Sequence, residues 1–446
     1  MSPRIIRKIL LLIGDWGALY LSLFLLVLVR YGYDWHSQWD LHLRPFSLIF
    51  FIWIMVMYIS YLYEARFLRI DVDSLRTMGT AVIIALVASI LAFYLFPPGL
   101  IYPRRNMVIF GMLFGIVLVV WRTIFFKLIR RWVHTKILFI GSGEEIGELT
   151  KYFSKYPQLR YEVTARAEKI PGRKELEDII RPKKINLILY QAPADRVAHI
   201  RDLLSLVGNK KVMLMDAGVF YERILGKVSA DSLNDIWFLK NLENVILDVH
   251  EASKRFLDIV VSLIGIVVLS VLYTPVFLLI KLGSSGPVFF KQARVGRNNK
   301  IFTMYKFRTM KALTPNGSAE KSGARWTKKD DGRITRAGRI LRKMRLDEMP
   351  QCINIFRGEM SIVGPRPERP EFVDKLSEQI PYYNMRHLVK PGLTGWAQVN
   401  YEYGDSEKDA RIKLQYDIYY TKHRSLVLDL AIIFRTLKIV LTGEGR

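Results

Sequence analysis

The chain has 446 residues, 51% of them hydrophobic and 12% aromatic, which excludes a disordered protein. Lys and Arg outnumber Asp and Glu by 66 to 41, a net charge of +25 that points to anionic partners: nucleic acid, anionic lipid or phosphorylated substrates. The one cysteine, Cys352, excludes an internal disulfide and a cysteine-based metal cage.

Four apolar runs open the chain, at Ile9–Val29, Phe46–Tyr63, Thr80–Phe96 and Met107–Phe126. Each approaches the ~20 residues a spanning helix needs. They are apolar on all faces rather than along one stripe, so they predict a transmembrane bundle and not four soluble helices. A cleaved signal peptide is disfavoured, because no small-residue cleavage site follows the first run. Arg4, Arg7 and Lys8 precede the first span, Arg66, Arg69 and Arg76 lie between the second and third, and Lys127, Arg130 and Arg131 follow the fourth. The opposite loops hold the smaller set Arg30, Arg44, Arg104 and Arg105. The bias places both the N-terminus and everything after the fourth span in the cytoplasm. Asp15 inside the first span is costly in lipid, and reads as a packing or oligomer contact or as an interface residue.

Lys136–Ile140 reads as a buried strand, followed by Gly141-Ser-Gly143-Glu-Glu-Ile-Gly147 and a helical stretch. Further strands are expected at Tyr161–Ala165, Ile185–Tyr190 and Val212–Met215. This alternation suggests a Rossmann-like, parallel, doubly wound sheet. Its glycine pattern departs from the dinucleotide turn: the third glycine is one residue late, and Glu144 and Glu145 stand where a pyrophosphate would sit. A structural or regulatory domain and a nucleotide site both remain open.

Phe256–Leu282 is a second membrane element, with Asp258 near its start and Thr274-Pro275 inside. A simple fifth span would carry the remainder of the chain across the membrane. A helix broken at the proline would enter and leave on one face. Composition does not decide between them.

The remainder is dense in Gly, Pro and basic residues: Tyr305-Lys-Phe-Arg-Thr-Met310, a polar loop over Lys311–Lys329, Asp331-Gly-Arg333, Leu346-Asp-Glu-Met-Pro-Gln351, Met360-Ser-Ile-Val-Gly-Pro-Arg-Pro-Glu368 and Val389–Asn400. Asp347 and Glu348 are adjacent carboxylates among Arg339, Arg342, Lys343, Arg345 and Arg366. Nearby cations keep carboxylates ionised, which suits a nucleophile or a metal ligand. Pro350 and Gly358 bracket a short helix whose start would carry the dyad. A solvated acidic pair balanced by surface arginines is the alternative on spacing alone. His387 reads as structural.

Together these segments resemble the bacterial sugar transferase family, in its large monotopic form, over about Lys254–Arg446. The resemblance implies a four-helix transmembrane bundle (1–132), a Rossmann-like α/β domain (133–250) and a mixed, mainly α monotopic catalytic domain with a re-entrant helix (251–446). It implies transfer of a sugar 1-phosphate from a UDP-sugar to undecaprenyl phosphate with release of UMP, initiating exopolysaccharide, capsule or O-antigen synthesis. Asp347 would attack the β-phosphate and Glu348 would bind Mg²⁺. Lys306, Arg308, Arg333 and Arg366 would bind phosphate, and Thr274-Pro275 would break the re-entrant helix. The implied setting is the bacterial inner membrane, with the catalytic domain facing the cytoplasm against anionic lipid, and a homodimer is expected. A dehydratase of the short-chain type is excluded by the lack of any Tyr-x-x-x-Lys. A nucleic-acid binder lacks a reading module. A non-catalytic membrane scaffold or regulator of polysaccharide assembly is the remaining rival.

Overall fold

A computed structural model describes residues 3–63, 72–95, 104–129, 134–169, 171–191, 212–241, 249–315, 317–319, 331–401, 404 and 406–442. Arg66, Arg69, Arg130, Arg131 and the stretch 320–330 of the polar loop lie outside the described residues. The chain divides into two compact units, Met1–Ala217 and Gly218–Arg446.

The first unit begins with α1 (Pro3–Tyr31), α2 (Trp35–Ile59), α3 (Val72–Leu95) and α4 (Arg104–Ile129). Among the described residues, the helical stretches long and apolar enough to cross a membrane are Lys8–Ile59, which holds α1 and α2, then Ser74–Leu95, Asn106–Leu128 and His250–Gly283. The chain is a membrane protein. Helix α1 packs on α2 and α4, and α3 packs on α2 and α4, which closes a four-helix bundle. Its centre is aromatic: Trp53 meets Phe110 and Phe114 edge-on, and Phe110 stacks on Phe50. Asp15 proves to be an internal contact, since it accepts from Arg122 at 2.6 Å with both groups buried. Arg122 also donates to the Leu62 carbonyl, so neither charge is left bare in the apolar interior.

A sheet follows, built from β1 (Thr135–Ile140), β2 (Tyr161–Ala167), β3 (Leu187–Tyr190) and β4 (Met213–Asp216). All pairings are parallel, in the order β2-β1-β3-β4. Helices α5 (Glu144–Lys155) and α6 (Arg173–Lys183) connect the first three strands. Gly141 has φ of +124°, which favours glycine. A Cβ there would lie 2.9 Å from Gln191 Cβ, and one at Gly143 would lie 2.8 Å from Gln191 Oε1. These glycines make room for the Gln191 side chain.

The second unit starts earlier than residue 251. Helices α7 (Ala217–Leu225) and α8 (Asp235–Asn241) pack against it. Val228 and Phe238 share a core with Val295, Val373, Leu376 and Ile418, and Trp396 Nε1 donates to the Gly226 carbonyl at 2.6 Å. The cause is apolar: Val228 and Phe238 are buried in that core.

Helix α9 (Val249–Gly283) has 35 residues, about 50 Å of helix. It runs through Thr274-Pro275 without ending. The expected break is therefore absent from the backbone assignment, since a proline can be absorbed as a bend that sacrifices one hydrogen bond. After it come the antiparallel hairpin β5 (Phe289–Val295) and β6 (Ile301–Phe307), then α10 (Arg336–Lys343), α11 (Gln351–Arg357) and β7 (Ser361–Val363). The unit ends with α12 (Pro370–Gln379), β8 (Gly392–Thr394), α13 (Trp396–Asn400), α14 (Glu407–His423) and α15 (Leu426–Thr442). Short parallel pairing joins β7 to β8.

One face of α9 packs along the unit. Asp258 accepts from Ser361 Oγ at 3.0 Å and from Ile362 N at 2.9 Å. Leu269, Val276 and Ile280 join Val288, Phe307 and Leu341 in a core. The opposite face is bare and apolar, with Phe256, Leu263, Ile264, Val267, Val271 and Leu282 all exposed. Gly265 permits the contact with α11, because a Cβ on it would overlap Cys352 Sγ. Gly265→Ala should destabilise the second unit by about 1–3 kcal/mol through overpacking. Adding Cys352→Ala should recover most of that loss, as read by thermal melts in detergent.

Candidate active site

The dyad is positioned by what its neighbours bury. Leu346, Met349 and Ile353 pack towards the core formed by α9, Phe307 and Leu341. Asp347 and Glu348 occupy a short 3-10 turn between α10 and α11, preceded by Arg345 at φ +57°. As expected, Pro350 stands at the start of α11 and Gly358 ends it at φ +83°.

Strand β6 alternates. Phe307 enters the core, while Lys306 points the other way and donates to Glu348 Oε1 at 2.9 Å. Arg366 donates to the same oxygen at 3.1 Å, and Arg345 lies 3.9 Å from Oε2. This cage of cations holds the Glu348 carboxyl well below the ordinary carboxylate range, even though burial opposes it. Burial pushes the Lys306 ammonium down, and Glu348 counters that. Asp347 is 9% exposed. A cluster of this kind holds an ionised carboxylate and cations together in a partly dry site, the arrangement that phosphoryl transfer needs.

The remaining candidates fall differently. Arg308 is 2% exposed and donates to the carbonyls of Ser284 and Ser285 just past α9. It fastens the end of the membrane helix to the chain just past β6. Arg333 forks onto Asp331, with Nε to Oδ1 at 2.9 Å and Nη2 to Oδ2 at 2.6 Å, and the Asp331 carboxyl is drawn down to about 2. Thr274 and Pro275 lie in α9 as described. His387 is structural: it pairs with Asn299 at 2.6 Å, and burial beside Arg386 pushes its imidazole down to about 3.

Two supports were not apparent in the sequence. Arg386 donates to the Arg366 carbonyl at 3.0 Å and pairs with Asp417 at 2.8 Å, both members being buried. It thereby fixes the main chain of the Pro365-Arg366-Pro367 loop. Asn354 donates to the Thr303 carbonyl and accepts from Tyr305 N, tying α11 to β6. Neither residue stands in a recognisable spacing, so only the fold reveals them.

For Mg²⁺, no group of three or more His, Cys, Asp or Glu side chains comes together among the described residues. The chemistry of the site is compatible with the ion, because Mg²⁺ commonly takes only one or two carboxylates and completes its shell with water and substrate phosphates; Glu348 would be the ligand.

The profile of the bacterial sugar transferase family matches residues 249–443, the whole stretch from α9 to α15. A Rhizobium leguminosarum exopolysaccharide production protein is 42% identical over 198 residues, 43% of this chain and 97% of the relative. The chain belongs to the bacterial sugar transferase family. An Aeromonas hydrophila UDP-N-acetylgalactosamine-undecaprenyl-phosphate N-acetylgalactosaminephosphotransferase is 42% identical over 224 residues, 50% of this chain and 51% of the relative. A Xanthomonas campestris UDP-glucose:undecaprenyl-phosphate glucose-1-phosphate transferase is 33% identical over 272 residues, 60% of this chain and 55% of the relative. The matched region thus spans about half the length of these last two relatives.

Glu348 gives a stability prediction with a definite sign. Its folded-state pKa is depressed, so its stabilisation is present above the unfolded carboxylate value of about 4.3 and is lost as pH falls below it. Glu348→Gln should lower the melting temperature at pH 7 and flatten its decline between pH 5 and 3, as read by intrinsic fluorescence in detergent. Arg308→Ala should be more damaging still, at about 2–4 kcal/mol, because it strips the carbonyls at the end of α9 of their donor.

Proposed function

We propose that the protein transfers a hexose 1-phosphate from a UDP-hexose to undecaprenyl phosphate, and so starts assembly of a polysaccharide repeat unit. The observation that carries this reading is the Glu348 carboxylate bound to Lys306 and Arg366, beside Asp347, on a turn anchored to an apolar membrane helix. The printed names of the Aeromonas and Xanthomonas relatives support the class of donor and acceptor.

In this mechanism a carboxylate oxygen of Asp347 attacks the β-phosphorus of the UDP-hexose. The bond from that phosphorus to the bridging oxygen breaks, and UMP leaves with the electron pair. A phosphate oxygen of the lipid then attacks the same phosphorus and releases the Asp347 carboxylate. The product is the lipid diphosphate hexose. Arg366 and Lys306 hold the diphosphate oxygens, and Arg345 adds charge from the other side. Glu348 would hold Mg²⁺, which when bound would supply charge neutralisation at the diphosphate. An ionised aspartate needs no base, which agrees with the neutral, buried His387.

The setting suits a re-entrant helix. Arg255, at one end of α9, donates to the carbonyls of Ile355 and Phe356, while Gly283, at the other end, lies against Ala337. Both ends rest on neighbouring helices of one unit, which favours entry and exit on a single face. The reading places that face at the cytoplasmic side of the inner membrane and assigns residues 133–217 to a Rossmann-like accessory domain. The scaffold alternative has no observation in its favour, because the carboxylates and their cations are intact.

The test is UMP release from a panel of UDP-sugars, using purified full-length protein, Mg²⁺ and undecaprenyl phosphate. Release should require lipid and metal and should fall at least about 10³-fold in Asp347→Asn, as expected for loss of a nucleophile. Release unchanged in that variant would overturn the covalent step. No release from any sugar by folded protein would overturn the transferase reading.

A further inference from the structure

The chain between β7 and α12 has no regular structure, yet its main chain is gripped along its length. Gly364 N donates to the Thr394 carbonyl at 2.9 Å. The next four carbonyls each accept a bond from another element. Gly392 N donates to Pro365 at 2.9 Å, Arg386 Nη2 to Arg366 at 3.0 Å, Arg294 Nη1 to Pro367 at 2.9 Å and Val295 N to Glu368 at 2.9 Å. The segment Val389–Asn400 backs this mould: a Cβ on Gly364 would overlap the Lys390 carbonyl, and one on Gly395 would overlap the Gly364 carbonyl. Pro365 and Pro367 have fixed φ, and they restrict the residues before them, Gly364 and Arg366. Irregular segments ordinarily leave such carbonyls to water.

Two of the four donors are guanidinium groups, which a neutral carbonyl does not require. Arg386 is buried with Asp417, 2.8 Å away, and with Tyr383, whose hydroxyl accepts from Nη1 at 2.6 Å. A buried ion pair contributes little net stability compared with apolar side chains of similar volume. What it supplies is direction: a planar fork locked by Asp417 and Tyr383 presents its donor to the Arg366 carbonyl from one angle only. Arg294 forks in the same way, between Gln292 Oε1 at 2.6 Å and the Pro367 carbonyl. The two arginines thus hold the carbonyl of Arg366 and that of its successor. The Arg366 side chain itself stays open to an incoming anion, 37% exposed, and reaches Glu348 Oε1 at 3.1 Å.

We propose that Arg386 and Arg294 are positioning residues for transfer. They act through the main chain of the Pro365-Arg366-Pro367 loop and aim the Arg366 guanidinium at the diphosphate oxygens. Asp417 and Tyr383 stand one step behind, because they orient Arg386. This inference rests on the transferase reading and adds to it the residues that set the angle of one phosphate ligand.

Steady-state kinetics of the purified full-length protein test it, with undecaprenyl phosphate, Mg²⁺ and the most active donor of the UDP-sugar panel. Arg386→Lys keeps a charge opposite Asp417 but loses the fork. It should lower kcat/KM for the UDP-sugar by about 10- to 100-fold, the penalty of a slight misplacement. KM for the UDP-sugar should rise, whereas a smaller folded fraction would lower kcat alone. Arg294→Lys leaves the buried pair intact and should act in the same direction, which keeps the test decisive where Arg386→Lys fails to fold by thermal melts. In the background of Arg366→Ala, either substitution should change kcat/KM by less than about twofold, because both act through that side chain. Losses that multiply with Arg366→Ala, or that leave KM unmoved, would overturn the positioning role. So would release that falls in Arg366→Ala but in neither clamp variant, or that is indifferent to Arg366→Ala. No release by the wild-type protein from any UDP-sugar would instead overturn the transferase reading, and this inference with it.

Discussion

Asp258 sits in an apolar helix and spends both of its hydrogen bonds on β7, through Ser361 Oγ and Ile362 N. A buried carboxylate is tolerated only where such donors meet it, so this contact sets the register of α9 against the strand. From that register the rest follows. Four residues beyond Ile362 the chain reaches Arg366, which must meet Glu348. Seven residues along α9 from Asp258 is Gly265, where α11 comes close enough to touch Cys352. Helix α11 begins at the turn that carries the dyad. The strand that brings the arginine and the turn that brings the carboxylates are both aligned to one membrane helix.

The electrostatics of the site depend on that alignment. Glu348 sits among three cations drawn from separate elements: Lys306 from β6, Arg345 from the turn itself and Arg366 from the loop after β7. Each cation desolvates the others, and Lys306 tolerates burial because Glu348 lies 2.9 Å away. An incoming diphosphate would carry more charge than Glu348 and would compete for the same donors. Glu348 therefore partly offsets three cations, and in the proposed reaction a diphosphate would exchange with it for the same donors, which would avoid leaving an uncompensated buried charge.

Much of this was legible in the sequence, for reasons that differ by element. The apolar helices were legible because spanning lengths and all-round apolarity have few other causes. The sheet strands were legible from short apolar runs between turns. The dyad turn was legible from Pro350 and Gly358, whose backbone preferences are local. The anchoring bonds of Arg308 were not legible, because they reach main-chain carbonyls far back in the chain. Lys306 turns to the carboxylates, and Arg308, two residues on, lies past the strand's end, where it binds the carbonyls that follow α9. Arg386 and Asn354 were invisible for another reason: they act through main-chain groups distant in sequence, and Asp417 acts through Arg386. The early start of the second unit was hidden because Val228 and Phe238 carry no pattern of their own.

Packing of the transferase unit along an apolar helix also bears on the proposed reaction. A lipid-linked acceptor presents its phosphate only at the plane of the membrane, while a sugar nucleotide is confined to water. In the proposed reaction a unit resting on α9 would be held at that plane by the helix's bare face, so the dyad would not need to search in depth.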